Sequence, residues 1–194
     1  MAPPDLPRCA WVPPGDDLYR AYHDDEWGTP LHDDLALFEL LILETFQAGL
    51  SWRLILSRRE AFRTVFNGFN PTVMAGWTDA HISNLLRDPT IIRNRHKIEA
   101  ARANARAVLD LHATHGSFSD WLWNYVDGTP VTGHWEKHED VPASTPLSKT
   151  MSKDMKKLGF SFTGPVTVYS LLQAAGLVQD HLTTCYRYSE LTGT

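Results

Sequence analysis

The sequence has little of what marks a secreted or membrane protein. Only two cysteines, Cys9 and Cys185, occur in 194 residues, too few for a disulfide framework. No apolar run approaches the roughly 18–20 residues of a membrane-spanning helix. The opening MAPPDLPRCA lacks the charged-then-apolar layout of a signal peptide, so a cytoplasmic protein with no membrane partner is expected. Internal repeats are missing, and the two-residue alternation of β-strands is scarce. Positive charge is in deficit as well: 18 Lys and Arg against 23 Asp and Glu leave a net charge of −5. Binding to a polyanion would therefore need a local basic face.

What is present describes a folded, helical globule. Hydrophobic residues make up 43% and charged residues 21%, enough to bury a core, while 12 Pro and 12 Gly promise several breaks. The pattern predicts an all-α fold and a single unit over 1–194. Asp33 and Asp34 open a helix through Phe46 that Gly49 ends. Ser51 reads as the N-cap of one helix running to Phe66, with Arg53, Arg58, Arg59 and Arg63 on its outer faces, towards solvent or a polyanion. Short helices are predicted after Asn70-Pro71 and Thr78-Asp79, a long one over about 94–112, and a short aromatic one after Ser117. The stretch 128–146 reads as an exposed loop. Beyond it, a basic helix over 147–158 leads through Gly159 to Gly164 into a last apolar helix. That glycine-bounded hairpin has the ingredients to offer backbone N–H groups to a phosphate, supported by Lys149, Lys153, Lys156 and Lys157. Glycine at each end would permit φ > 0 and close approach. A second basic tract holds Arg93, Arg95, His96, Lys97, Arg102 and Arg106, with a solvated helix face as the plain alternative.

Two constellations carry chemistry. His181 and Cys185 stand one helical turn apart; with Cys9 and His23 they complete a two-sulfur, two-imidazole set suited to tetrahedral zinc with no open position. Such a set would be structural. The alternative makes Cys185 a small buried apolar residue and the histidines surface groups. Glu44 lies in LFELLILETF, so apolar around the helix that its carboxyl should be buried. A buried carboxyl either finds a hydrogen-bonding or ionic partner in the core or awaits a cationic ligand. Trp11, Tyr19, Tyr22, Trp27 and Trp52 surround it in sequence, and aromatic faces beside one carboxylate suit a flat cationic ring such as a methylated nucleobase.

Taken together, RCAWV, YRAYHDDEWGTP, LFELLILETFQAGLSW, IIRNRHKIEAARANARA, GFSFTGPVTVYSLLQAAGLVQDH and the terminal His-x-x-x-Cys resemble the DNA-3-methyladenine glycosylase I family over nearly the whole chain. The resemblance implies an all-α helix-hairpin-helix glycosylase in which the terminal segments form a zinc-stapled lobe. It implies excision of N3-methyladenine from double-stranded DNA by a monofunctional, monomeric enzyme that leaves an abasic site and releases free 3-methyladenine. By the same resemblance Cys9, His23, His181 and Cys185 are structural zinc ligands, and Glu44 is the pocket carboxylate. Tyr22 and Trp52 hold the base, with Trp11 and Trp27 as further walls. Ala48, Gly49 and Leu50 enter the duplex; Gly159 to Gly164 hold backbone phosphate, with Lys153, Lys156 and Lys157 beside them. Superfamily relatives often place a catalytic aspartate soon after the hairpin helix. Asp180 lies in that neighbourhood and ranks below Glu44, since its neighbour His181 is assigned to zinc. The competing reading is a non-catalytic, zinc-stapled module that binds damaged DNA or modified bases. A zinc hydrolase is disfavoured because four ligands leave no position for water.

Overall fold

The computed structural model describes residues 5–193. Helices account for most of the chain: α1 (Asp17–Asp25), α2 (Asp34–Gln47), α3 (Trp52–Ser57), α4 (Arg59–Val65), α5 (Pro71–Ala75), α6 (Asp79–Leu85), α7 (Arg95–His115), α8 (Phe118–Trp123), α9 (Pro146–Lys157), α10 (Pro165–Ala174) and α11 (Tyr186–Thr192). Their starts follow the cap chemistry of the sequence. Asp33, Ser51, Asn70, Thr78, Asn94, Ser117 and Thr145 each accept a backbone N–H of the first turn. α2 is apolar on all sides and consequently sits at the centre, with Leu37, Leu41, Ile42, Leu43 and Phe46 fully buried. Around it pack Phe62, Phe66, Phe69, Ile98, Phe118, Leu171 and Leu172 in one continuous core. Cys9, Leu182 and Cys185 form a small separate cluster where the two terminal segments meet.

Four expectations need correction. His181 and Cys185 are not one helical turn apart but lie in a turn segment ahead of α11, with Cys185 as its N-cap. The helix expected from Ser51 to Phe66 is two helices, broken at Arg58, whose backbone leaves the helical region (φ −108°, ψ 2°). Its guanidinium explains the break, for it donates to the carbonyls of Pro89, Thr90 and Ile91 at 3.0, 3.1 and 3.4 Å. The 128–146 stretch is not simply an exposed loop. It contributes β1 (Val131–Thr132), which pairs in parallel with β2 (Val178–Gln179), Val131 opposite Val178. This two-residue ladder is the one departure from all-α among the described residues. Beyond it, Trp135 Nε1 donates to Asp180 at 2.6 Å and Trp135 O accepts Thr183 N at 2.8 Å, pinning the segment onto the C-terminal stretch. Finally α7 runs three residues past the expected end, to His115.

Candidate active site and metal cluster

The cavity lies between α1, α2, α3, α10 and the 138–143 segment. It measures about 480 Å³, and its walls include Trp11, Tyr19, Tyr22, Trp27, Glu44, Trp52 and Asp180. All five aromatic residues singled out in the sequence therefore converge on one space, together with both candidate carboxylates. Trp11 meets Trp27 edge-on at 5.2 Å between ring centroids, and Tyr22 lies 5.4 Å from Trp52, tilted by 53°. The Trp52 indole N–H is buried and faces the Tyr22 hydroxyl without completing a hydrogen bond to it.

Glu44 is 4% exposed, and its carboxyl accepts no hydrogen bond from any described residue. Burial without a partner pushes its pKa up to about 8. Desolvation, then the nearby Glu44, raises Tyr22 well above the ordinary phenol range. Asp180 is buried in a different manner. It accepts from Trp135 Nε1 at 2.6 Å, Gln173 Nε2 at 2.8 Å and the Tyr169 hydroxyl. Gly133 is what lets this cluster close, because a Cβ there would strike the Trp135 indole and the Asp180 carboxylate.

Behind the Trp11 and Trp27 wall lie Cys9, His23, His181 and Cys185, all buried, with their donor atoms within 4.8 Å of one another. They could hold a metal ion. Sulfur-to-nitrogen separations are 3.4 Å for Cys9–His181, 3.4 Å for Cys185–His23 and 3.5 Å for Cys185–His181. A tetrahedral zinc with ordinary bond lengths needs S···N edges of about 3.5 Å. The remaining ring nitrogens are occupied as metal-ligating histidines require. His23 Nδ1 meets Asp24 at 2.9 Å, and His181 Nε2 donates to Trp27 O at 3.0 Å. Asp24 is gripped by Arg8 at 2.8 Å, and against the opposing effect of burial the bonds from Arg8 and His23 hold its pKa down at about 2.

The sequence profile of the methyladenine glycosylases matches residues 11–188. The chain belongs to the methyladenine glycosylase family. It is accordingly an N-glycosyl hydrolase of DNA repair. The glycosylase is 42% identical to DNA-3-methyladenine glycosylase 1 of Escherichia coli (strain K12) over 183 residues, 94% of this chain and 97% of that protein. With the DNA-3-methyladenine glycosylase of Haemophilus influenzae it shares 41% identity over 179 residues, 92% of this chain and 96% of the other. A crystal structure of 3-methyladenine DNA glycosylase I superposes with a TM-score of 0.90 at 44% identity, covering 93% of this chain and 98% of that one. The Staphylococcus aureus 3-methyladenine DNA glycosylase I, solved to explain its recognition of 3-methyladenine, superposes with a TM-score of 0.86 at 43% identity, covering 89% and 92%.

In this glycosylase Ala48, Gly49 and Leu50 leave the end of α2 beside the cavity, Gly49 at φ +78° with open space about it. The hairpin between α9 and α10 is held from behind. Asn104 brackets Ser161, accepting its N–H at 2.7 Å and donating to its carbonyl at 3.1 Å, while Ser152 Oγ donates to Thr163 O at 2.6 Å. Gly159 adopts φ +89° as expected, but Gly164 has an ordinary φ of −66°, so only its missing side chain leaves the α10 N-terminus bare. Lys153 and Lys156 are exposed nearby; Lys157 is exposed but bonded to Asp154 at 2.8 Å.

The other basic groups are mostly spoken for. Arg53 pairs with Asp16, Arg59 with Glu26 and Arg63 with Glu39 and Glu60. Arg95 meets Glu99 at 3.5 Å, Arg102 meets Asp79 and the Trp77 carbonyl, and Arg106 donates to Ala75 O. Lys97 is buried against backbone carbonyls, so the second basic tract shrinks to Arg93 and His96 as exposed groups without such partners. Tyr169 and Gln173 are cavity walls that no sequence signal announces, since both lie on an ordinary apolar helix pattern. The outer pair Arg8 and Asp24 also goes unmarked by any motif. Adjacency to Cys9 and His23 is the signal that could have found it.

Proposed function

We propose that the protein flips N3-methyladenine out of double-stranded DNA and hydrolyses its N-glycosidic bond, leaving an abasic site without cutting the strand. The observation that carries this reading is Glu44, a buried carboxyl with no partner among the described residues, on the wall of an aromatic cavity. A normal adenine is neutral and brings nothing to offset its burial. In DNA, an N3-methylated adenine is cationic, and its ring charge would draw Glu44, protonated up to about pH 8 in the empty cavity, into its ionised form, while Tyr22 and Trp52 contribute cation–π and stacking contacts of roughly 0.5–2 kcal/mol each. Trp11 and Trp27 close the far side.

The chemistry asks little acid catalysis of the protein. When the bond from C1′ to the base nitrogen breaks, its electron pair goes to the base and neutralises it; the sugar becomes oxocarbenium-like. Water then bonds to C1′ and gives up a proton. Glu44 would favour the extruded, cationic state and orient the base edge, so it touches the reacting group. Asp180, held by three donors, serves in this reading as a fixed wall beneath the sugar side of the cavity. The Ala48–Leu50 loop would fill the gap left in the stack, and the hairpin from Gly159 to Gly164, with Lys153, Lys156 and Lys157, would hold phosphate.

Cys9, His23, His181 and Cys185 would hold one structural zinc, which when bound supplies a closed, redox-inert crosslink and no Lewis-acid position. One continuous core with a small terminal cluster supports a single glycosylase unit. Base-release chromatography on methylated duplex tests the whole reading. Free 3-methyladenine appearing with turnover is the expected result; a gel shift without release would make the protein a binding module instead.

A further inference from the structure

α2 and α7 meet at one buried cation. Lys97, in the first turn of α7, is 5% exposed, and its Nζ donates to the carbonyls of Phe46 at 2.7 Å and Ala48 at 2.6 Å. No carboxylate among the described residues pairs with it. An α-helix leaves its last carbonyls without intrahelical donors and concentrates partial negative charge there. In α2 one of them, Phe46 O, and the C-cap carbonyl of Ala48 are satisfied from another helix. The ammonium grips the backbone on both sides of Gln47: Phe46 in the last turn, Ala48 as the first residue outside it.

The chain beyond is a closed knot. Leu50 N donates to Gln47 O at 2.6 Å, and Gln47 Nε2 donates to Leu50 O at 3.0 Å. Gly49 at its tip is exposed. An ordinary glycine C-cap would tie this knot to α2 alone. Lys97 ties it to α7 as well, and so fixes its angle against the rest of the core. Burying a lysine without a counter-ion is costly, which makes two charge-assisted bonds to one short loop an unusual use of it. Nor does Lys97 line the cavity, so it has no direct part in holding the base.

We infer that Lys97 is a positioning residue for base extrusion, holding the Ala48–Leu50 loop at the angle at which it fills the space a flipped base leaves. The inference rests on the proposed role of that loop in the duplex. It predicts a dependence on the form of the DNA. In a duplex the gap must be filled; in a single strand there is no paired stack to repair, and extrusion costs least.

The test is single-turnover release of methylated base by the parent and Lys97→Met proteins, from methylated duplex and from the same strand alone. Misplaced positioning should slow release from duplex about tenfold or more while release from the single strand stays near the parent's. Should Lys97→Met fail to accumulate as folded protein, Lys97→Gln, too short to reach both carbonyls, carries the same expectation. Equal losses on both substrates would show general damage to the fold and overturn the inference, as would an unchanged duplex rate. Release from neither substrate by the parent would instead overturn the proposed function, and this inference with it.

Discussion

Glu44 and Asp180 line one cavity in opposite states of satisfaction: Asp180 accepts from Trp135, Tyr169 and Gln173, and Glu44 accepts from no described side chain. Three donors fix one carboxylate in place. The other is held only by the walls around it, which leaves it free to answer a ligand. On the proposed reading it is Glu44 that discriminates a cationic base from a neutral one.

Glu44→Gln keeps the volume and removes the ionisable group. Excision of cationic base should fall about tenfold or more, since an ionic partner is lost in a buried site. Stability should move the other way, with a definite sign in pH. The native carboxyl holds its proton up to about 8, whereas the unfolded one releases it near 4.5. Between those values the native state binds more protons, so parental stability declines as pH rises through the window, by a few kcal/mol at most. Thermal melts of both proteins should run close together near pH 5 and separate by pH 8–9, the Gln variant the more stable. A constant offset would show that Glu44 is already ionised.

Trp52→Ala should cost about 1–3 kcal/mol of base affinity through lost stacking. Binding of 3-methyladenine, followed by titration calorimetry, measures it; a silent variant would place the base elsewhere.

The purified protein should carry one zinc per chain. Cys185→Ser should lose the metal, lower the melting temperature and change tryptophan emission, because Trp27 lies 4.6 Å from His181 and Trp11 lies 5.3 Å from His23. Metal analysis by mass spectrometry, with melts on the same samples, decides it. A metal-free variant as stable as its parent would leave the cluster without a structural role.

DNA affinity should fall steeply with salt in spite of the overall acidity. Replacing Lys153 or Lys156 by Met should each reduce the log–log slope by about 1. Lys157 should matter less, because Asp154 already holds it. Fluorescence anisotropy across a salt series provides the slopes, and identical slopes would remove this face from the contact.

Borohydride should trap no covalent adduct on methylated duplex, and the strand should stay intact without heat or alkali. Attack on the sugar by an amine needs a lysine free to approach it. Lys97, the buried one, has its Nζ committed to Phe46 O and Ala48 O, and the lysines of α9 are on an exposed face, which leaves Lys137, exposed beside the cavity-lining His138, as the amine that the trapping tests. A trapped adduct would contradict the water mechanism.

The aromatic cavity is legible from residue type, whereas among nine histidines it is the family resemblance that singles out His23 and His181 as partners of Cys9 and Cys185. Two thiols and two imidazoles have few uses in combination, and a glutamate inside LFELLILETF has few places to go. The basic tracts are not legible. Whether an arginine meets phosphate, a carboxylate or a carbonyl depends on partners far along the chain, as Arg58 with Pro89 and Arg59 with Glu26 show. Lys97 is hidden for the same reason: nothing in its sequence neighbourhood reports that the end of α2 lies above it. The 128–146 segment passes for a loop because its order comes from outside, through Trp135 on Asp180 and a two-residue ladder too short to leave a pattern.

Cys9, His23, His181 and Cys185 also join residues made at opposite ends of synthesis. Cys9 and His23 leave the ribosome early and wait for His181 and Cys185, which are made after every helix of the core except α11. A nascent chain already holds Tyr22, Glu44 and Trp52 but lacks Asp180 and the anchor for Trp27. A transcript broken ahead of these residues would therefore yield a protein with most of its core and an unfinished pocket. Such a chain would lack two of the four cluster residues and one of the two carboxylates that line the cavity.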